Sequence, residues 1–184
     1  MLRDFLQKER SYRSFDPCYN VSFETLFDIV DCVRFTPSAM NAQALRFRLC
    51  YKKEECAKLL SLTKWAAALP QYHFPPEGHE PPAYIVICAE KDTFLRDVGI
   101  AAQTMMLAAV ELGLGGCMIG NFDPEKVCDA LGIAKELKPR LILGLGKPDE
   151  TVILEDVVDG KTSYYRDEHF VHHVPKRKTE DMIL

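Results

Sequence analysis

No two cysteines of this chain stand in a C-x-x-C pair, no apolar run is clean enough to span a bilayer, and no excess of basic charge is present. Each absence excludes something. The seven cysteines (Cys18, Cys32, Cys50, Cys56, Cys88, Cys117 and Cys128) are odd in number, and several lie inside apolar runs such as "YIVICAE". They read as small core residues of a protein from a reducing compartment, not as a disulfide framework. The longest apolar stretch, "IAAQTMMLAAVELGLGGCMIG", is broken by Gln103, Glu111 and glycines, so no membrane partner is expected. The first four residues already carry charge and no h-region follows, so no signal peptide is expected and the location reads as cytoplasmic. With 23 Lys and Arg against 27 Asp and Glu, the formal charge is -4, which argues against a nucleic-acid partner. The cluster "HFVHH" (His169 to His173) lacks an H-E-x-x-H pattern and reads as surface histidines, with no metal expected. No Ser-His-Asp order is recognisable, and Ser38 sits in no nucleophile elbow. No side chain is expected to be catalytic in its own right. If the chain is an enzyme, the hard chemistry belongs to a cofactor.

What is present suits one domain over residues 1–184, with 47% hydrophobic residues to fill its core. Leu2, Phe5 and Leu6 share a helical face. After Ser22, a candidate N-cap, Phe23, Leu26, Phe27, Val30 and Val33 recur at helical spacing until Pro37 stops the helix. "RFRLCY" (Arg46 to Tyr51) alternates as a half-exposed strand, and "KKEECAKLLSLTKWAAAL" reads as a helix. Pro70 to Pro82 holds five of the eleven prolines and is a long loop, either a lid or a surface excursion. A buried strand "AYIVICAE" precedes the longest helix, with Thr93 as a candidate cap and Gly113 and Gly115 at its end. "GCMIGNF" is extended, Asp123 and Pro124 open a further helix, and "PRLILGLGK" is a strand. The tail from Thr151 is weakly patterned. Helices and strands alternate, so the class is α/β or α+β around a central sheet.

Two glycine runs fall short as phosphate motifs. "GLGGCMIG" (Gly113 to Gly120) follows a helix C-terminus, whose partial negative charge repels phosphate. "GLGKPD" lacks P-loop spacing. Their glycines could still let backbone approach a flat ligand. "TPSAMNAQALRF" puts Ser38, Asn41 and Gln43 in a helix-to-strand loop. Those groups suit either the edge of a heterocycle or local turn bonds. "ERSYRSF" offers Arg10 and Arg13 three residues apart, and "PKRK" adds three cations near the other end. Each is an anion site or a solvated charge cluster.

"RSYRSF", "PSAMNAQ", "LGLGGCMIGNFD", "LGLGKP" and "VPKRK", in this order from about Arg10 to Lys178, resemble the FMN-dependent nitroreductase family. The resemblance implies an α+β fold: a three-layer sandwich with a mixed, mainly antiparallel sheet flanked by helices, in an intertwined homodimer with FMN at the interface. Arg10, Ser11 and Arg13 match the family's N-terminal phosphate and ribityl contacts, and Lys176, Arg177 and Lys178 its C-terminal ones. The two clusters are therefore expected to meet around one FMN phosphate. Pro37, Ser38, Asn41 and Gln43 match the segment packing on the flavin, mostly from the partner subunit. Ile119, Gly120 and Asn121 match the loop beside the isoalloxazine, where a backbone N–H reaches N5. The chain departs from the family's pattern at Ala44-Leu45, where Pro-Trp is frequent, at Glu9, where a basic residue is common, and in its proline-rich loop. The implied activity is electron transfer from NAD(P)H through flavin N5 to a nitroaromatic, quinone or similar acceptor by a ping-pong mechanism. The alternatives are a flavin carrier or sensor without turnover, and a reductive enzyme fed by another donor such as ferredoxin.

Overall fold

The computed structural model describes all 184 residues. A four-stranded sheet lies at its centre, in the order β1 (Leu45–Cys50), β2 (Ala83–Ala89), β4 (Lys138–Gly146), β3 (Gly115–Ile119). Every neighbouring pair in this sheet is antiparallel. The reason for its central place is legible in β2, whose seven residues "AYIVICA" are all buried. Successive side chains of a strand point to opposite faces. Ala83, Ile85 and Ile87 therefore join one core cluster, and Tyr84, Val86 and Cys88 join the other.

The first cluster packs the sheet against α2 (Phe23–Asp31) and α4 (Leu95–Glu111), and the second packs it against α3 (Lys53–Leu62) and α5 (Pro124–Leu131). The result is three layers, helix on sheet on helix. Each fully buried Ile or Leu of these clusters contributes roughly 1.5–3 kcal/mol of transfer free energy. The short α1 (Leu2–Lys8) lies against α4.

Local chemistry sets most boundaries. Ser22 Oγ accepts from Thr25 N at 3.1 Å and starts α2, which runs on as a 3₁₀ turn to Phe35 and stops before Pro37. Asp123 accepts from the amides of Glu125 and Lys126, and Pro124 occupies the first turn of α5. Gly132 closes that helix at φ 64°, in the left-handed region glycine enters freely. Two boundaries differ from expectation. Thr93 does not cap α4, which follows directly from a 3₁₀ turn over Asp92–Phe94. The third helix ends at Leu62 because Thr63 bridges to Phe122 and Lys64 N donates to Asn121 O at 2.9 Å. Tertiary pairing there overrides the helical pattern.

The tail, weakly patterned in sequence, forms a second sheet in the order β5 (Val152–Asp156), β7 (His172–Lys176), β6 (Tyr165–Arg166). Here β5 and β7 are parallel and β6 and β7 antiparallel, so this small sheet is the mixed one. The segment after α1 joins the two sheets: Ser11 bridges Gly116 on β3, and Phe15, fully buried, bridges Pro148. Glu150 anchors it further, accepting from Arg13 N and Ser14 N while paired with Arg166. Both side chains of that ion pair are only 4% exposed.

The proline-rich loop is pinned to the tail. Tyr72 packs its ring against Phe74 and Phe170, and the Arg166 guanidinium lies 4.6 Å from the Phe74 ring centre. Five of the seven cysteines are buried and none is paired, while Cys18 is exposed and Cys32 partly so. Burial pushes the Cys50 and Cys88 thiols up to about 12 and those of Cys56 and Cys117 to about 11, as inert core groups. No helix is long and apolar enough to cross a membrane.

Candidate active site

Pro37, Ser38, Asn41 and Gln43 line one cleft, with a volume of about 690 Å³. Its apolar floor comes from α2 and its 3₁₀ extension (Phe27, Val30, Val33) and from the outer strand β1 (Leu45, Phe47, Leu49). The loop between them turns sharply. Met40, Asn41 and Gln43 hold φ of 53°, 52° and 48°, values that non-glycine residues adopt only when their surroundings enforce them. Ser38 Oγ donates to Asp97 Oδ2 at 2.8 Å and accepts from Gln43 N at 3.1 Å. The serine's one proton is thus spent inside the protein, while Gln43 Nε2 donates to Asn41 Oδ1 at 3.3 Å and both side chains remain exposed. Arg46 donates to the carbonyls of Gln43 and Leu45 and braces the loop from the strand side.

The N-terminal cluster lies on the other side of the sheet. Ser11 pairs with Gly116 on β3, and Tyr12 N donates to Gly116 O at 2.9 Å. Since β1 and β3 are opposite edges of the four-stranded sheet, three strand spacings, about 14 Å, separate those edges, and the N-terminal segment lies one further spacing beyond β3. The buried strands β2 and β4 stand between them. Arg10 donates to Leu6 O and lies 4.0 Å from Glu9, which also receives Gln103 at 3.4 Å. Arg13, 7% exposed, donates to Ser11 O at 3.1 Å, approaches His172 Nε2 at 3.2 Å, and lies 5.1 Å from the Tyr164 ring centre. Arg10 Nε and Arg13 Nε are buried with no hydrogen-bond partner.

At the end of β3, Ile119 is buried while Gly120 and Asn121 are exposed. A Cβ built on Gly120 meets nothing within 4 Å, so the backbone there faces open space. The glycines before it serve the protein rather than a flat ligand. A Cβ on Gly115 would fall 2.5 Å from the Tyr12 ring, and one on Gly116 would fall 2.4 Å from Gly144 O. Lys176, Arg177 and Lys178 are exposed at and beyond the end of β7. Within one chain the contact made between the two terminal segments is Arg13 with His172, the first residue of β7. Lys176 lies four residues further along that strand, about 13 Å away.

His172 escaped the sequence reading, which treated it as a surface group. It is 2% exposed, and burial together with the Arg13 and Arg166 cations lowers it to about 4, so it is neutral. Its Nε2 must accept from Arg13, which leaves the proton on Nδ1, a buried atom with no partner. Strand alternation was the available signal: His173, the next residue, faces outward between Glu155 and Asp167.

Residues 6–147 match the model of the family described as "Nitroreductase family". The chain belongs to the nitroreductase family. It is 23% identical over 181 residues to YdgI of Bacillus subtilis, whose name assigns it provisionally as an NAD(P)H nitroreductase, covering 78% of this chain and 87% of that one. An FMN-dependent nitroreductase of Clostridium difficile R20291 is similar in structure, with TM-score 0.64 and 25% identity over 79% of this chain and 87% of that one. A nitroreductase family protein of Streptococcus pneumoniae TIGR4 shares the fold at TM-score 0.71 and 17% identity, over 86% and 96% of the two chains. The nitroreductase architecture accounts for the sandwich as built here, with five α-helices around an antiparallel sheet.

Proposed function

We propose that this nitroreductase-family chain is an FMN-dependent oxidoreductase. It takes electrons from NAD(P)H and passes them to a nitroaromatic, a quinone or a similar acceptor, with FMN held between two copies of the chain. The observation that carries the reading is the division of the expected contacts between opposite edges of one sheet. Pro37, Ser38, Asn41 and Gln43 stand at the β1 edge, and Arg10, Ser11 and Arg13 stand at the β3 edge. A single ligand touching both sets draws one from each copy. The exposed apolar side chains Phe27, Phe35 and Met40 near the cleft suit a face covered by a partner.

The residues fit the group. The cleft combines an apolar floor with amide groups at its rim, which suits a flat heterocycle bearing donors and acceptors. The partnerless Nε–H groups of Arg10 and Arg13 suit a phosphate. When bound, FMN supplies acceptance of hydride from a nicotinamide and release of electrons to the second substrate. The chain's own part is to bind and orient. Asn41 and Gln43 present amides to the ring edge, the Ile119–Gly120–Asn121 turn presents backbone, and Arg10, Ser11 and Arg13 hold the phosphate end. The exposed Lys176, Arg177 and Lys178 add positive charge to that end.

Purified protein supplied with FMN is expected to be yellow and to bleach with NADH or NADPH, then recover its colour with a quinone or nitroaromatic. Protein that binds no FMN would refute the reading. Bound FMN that neither nicotinamide reduces would favour a flavin carrier or an enzyme using another donor.

A further inference from the structure

Asp97 sits on the first turn of α4, 6% exposed, yet belongs to no expected set of contacts. Its carboxylate faces the Ser38–Gln43 loop across the cleft wall. Oδ2 accepts from Ser38 Oγ at 2.8 Å and from Ala39 N at 3.1 Å, and Oδ1 lies 3.4 Å from the same amide. Ser38 Oγ in turn accepts from Gln43 N at 3.1 Å. One continuous chain therefore runs from carboxylate to hydroxyl to amide and closes the loop on itself.

That loop contains three non-glycine residues in the left-handed region, Met40, Asn41 and Gln43. Such a conformation persists only where its surroundings over-determine it. Met40 and Asn41 are exposed, so packing does not supply the constraint. Arg46 braces only the carbonyls of Gln43 and Leu45. The start of the loop is held by Asp97. Hydrogen bonds to an ionised acceptor are the strong ones, and here a buried carboxylate takes two of them from one short turn.

We infer that Asp97 is a positioning residue for the flavin cleft, acting through Ser38 to fix the strained loop that presents Asn41 and Gln43. The inference rests on the FMN reading above. It also gives Ser38 a different role from a donor to the ligand, because its proton is committed to Asp97. Asp97 itself need not touch the flavin, since both its oxygens face loop donors.

The test is FMN titration by fluorescence quenching on the full chain, with thermal melting alongside. Replacing Asp97 by Asn keeps its shape but loses the charge and one acceptor, and should weaken FMN binding about 10- to 100-fold, the loss of a charge-assisted hydrogen bond. Ser38→Ala should weaken binding by a comparable factor. The Asp97→Asn/Ser38→Ala double variant should be no worse than Asp97→Asn alone, because both cut one chain of bonds. As a control, Gly132→Ala strains the far end of α5, where φ is 64°, away from the loop and the β3 turn, and should leave FMN affinity unchanged. Wild-type affinity in Asp97→Asn, or additive losses in the double variant, would overturn the inference. If Asp97→Asn does not fold, Ser38→Ala decides: wild-type affinity there also overturns it. If the wild-type chain binds no FMN, the FMN reading is what falls. Hydrogen exchange at the Gln43 amide then judges Asp97 alone: faster exchange in Asp97→Asn supports its hold on the loop, and unchanged exchange refutes it.

Discussion

Replacing Glu150 by alanine strikes the joint between the N-terminal segment and the tail. Glu150 is paired with Arg166, and both side chains are 4% exposed. It also accepts from the amides of Arg13 and Ser14. Breaking a buried pair by removing one partner costs about 3–5 kcal/mol, because the other charge stays buried. Arg166 retains the Phe170 carbonyl at 2.9 Å and the Phe74 ring, which ease its loss but supply no counter-charge. The two orphaned amides push the cost towards the upper end of that range. For a chain of this length one kcal/mol moves the melting temperature by roughly 2–4 °C, so the fall should be roughly 10–20 °C. Arg166→Met should cost less, towards the lower end at about 3 kcal/mol, because Glu150 keeps its two amide donors. Urea unfolding followed by circular dichroism measures both. A loss below about 1 kcal/mol for Glu150→Ala, or a larger loss for Arg166→Met, would refute the reasoning.

The adjacent histidines should titrate in opposite senses in an NMR pH series. His172 should stay neutral until about pH 4, and it withdraws stability as pH falls below its ordinary 6.5, because only the unfolded chain takes up the proton. His173 is raised by hydrogen bonds to Glu155 first and Asp167 second, so its contribution is full below pH 6.5 and is lost as pH rises through its folded value; His173→Gln should remove that alkaline loss. Gly116→Ala should destabilise by about 1–3 kcal/mol or more in thermal melts, since its Cβ would fall 2.4 Å from Gly144 O. Arg13→Ala should lower both FMN affinity and melting temperature, because the guanidinium is buried against His172 and Tyr164, whereas Arg10→Ala should lower affinity with a smaller thermal shift.

What the sequence made legible was chemistry confined to a few neighbouring residues. Ser22 and Asp123 announce their helices because a cap is a contact over two or three positions. The wholly apolar run of β2 marks the centre of the sheet, since no other place buries both faces. The amide-rich stretch after Pro37 read either as a heterocycle edge or as a turn with local bonds, and the local bonds are present, from Gln43 N to Ser38 Oγ and from Gln43 Nε2 to Asn41 Oδ1. The rest depends on partners far along the chain. Asp97 meets Ser38 across 59 positions, and nothing around either residue announces the pairing. The tail sheet was missed because β5 pairs in parallel with β7, twenty positions on, and β6 has only two residues. His172 hid between an exposed His169 and a partly exposed His173, its burial set by alternation on a strand that the tail's weak pattern did not reveal.

The central claim is that two copies build each flavin site, one giving the β1-edge cleft and the other the β3-edge arginines. Mixing tests it directly. One chain would carry Arg10→Ala, and a second would carry Asn41→Ala with Gln43→Ala. Each alone should bind FMN weakly. Unfolded together and refolded, they should regain a fraction of sites with wild-type affinity in a fluorescence titration, because a mixed pair holds one undamaged site. If the mixture binds no better than its components while the wild-type chain binds FMN tightly, the site lies within one chain and the account is contradicted.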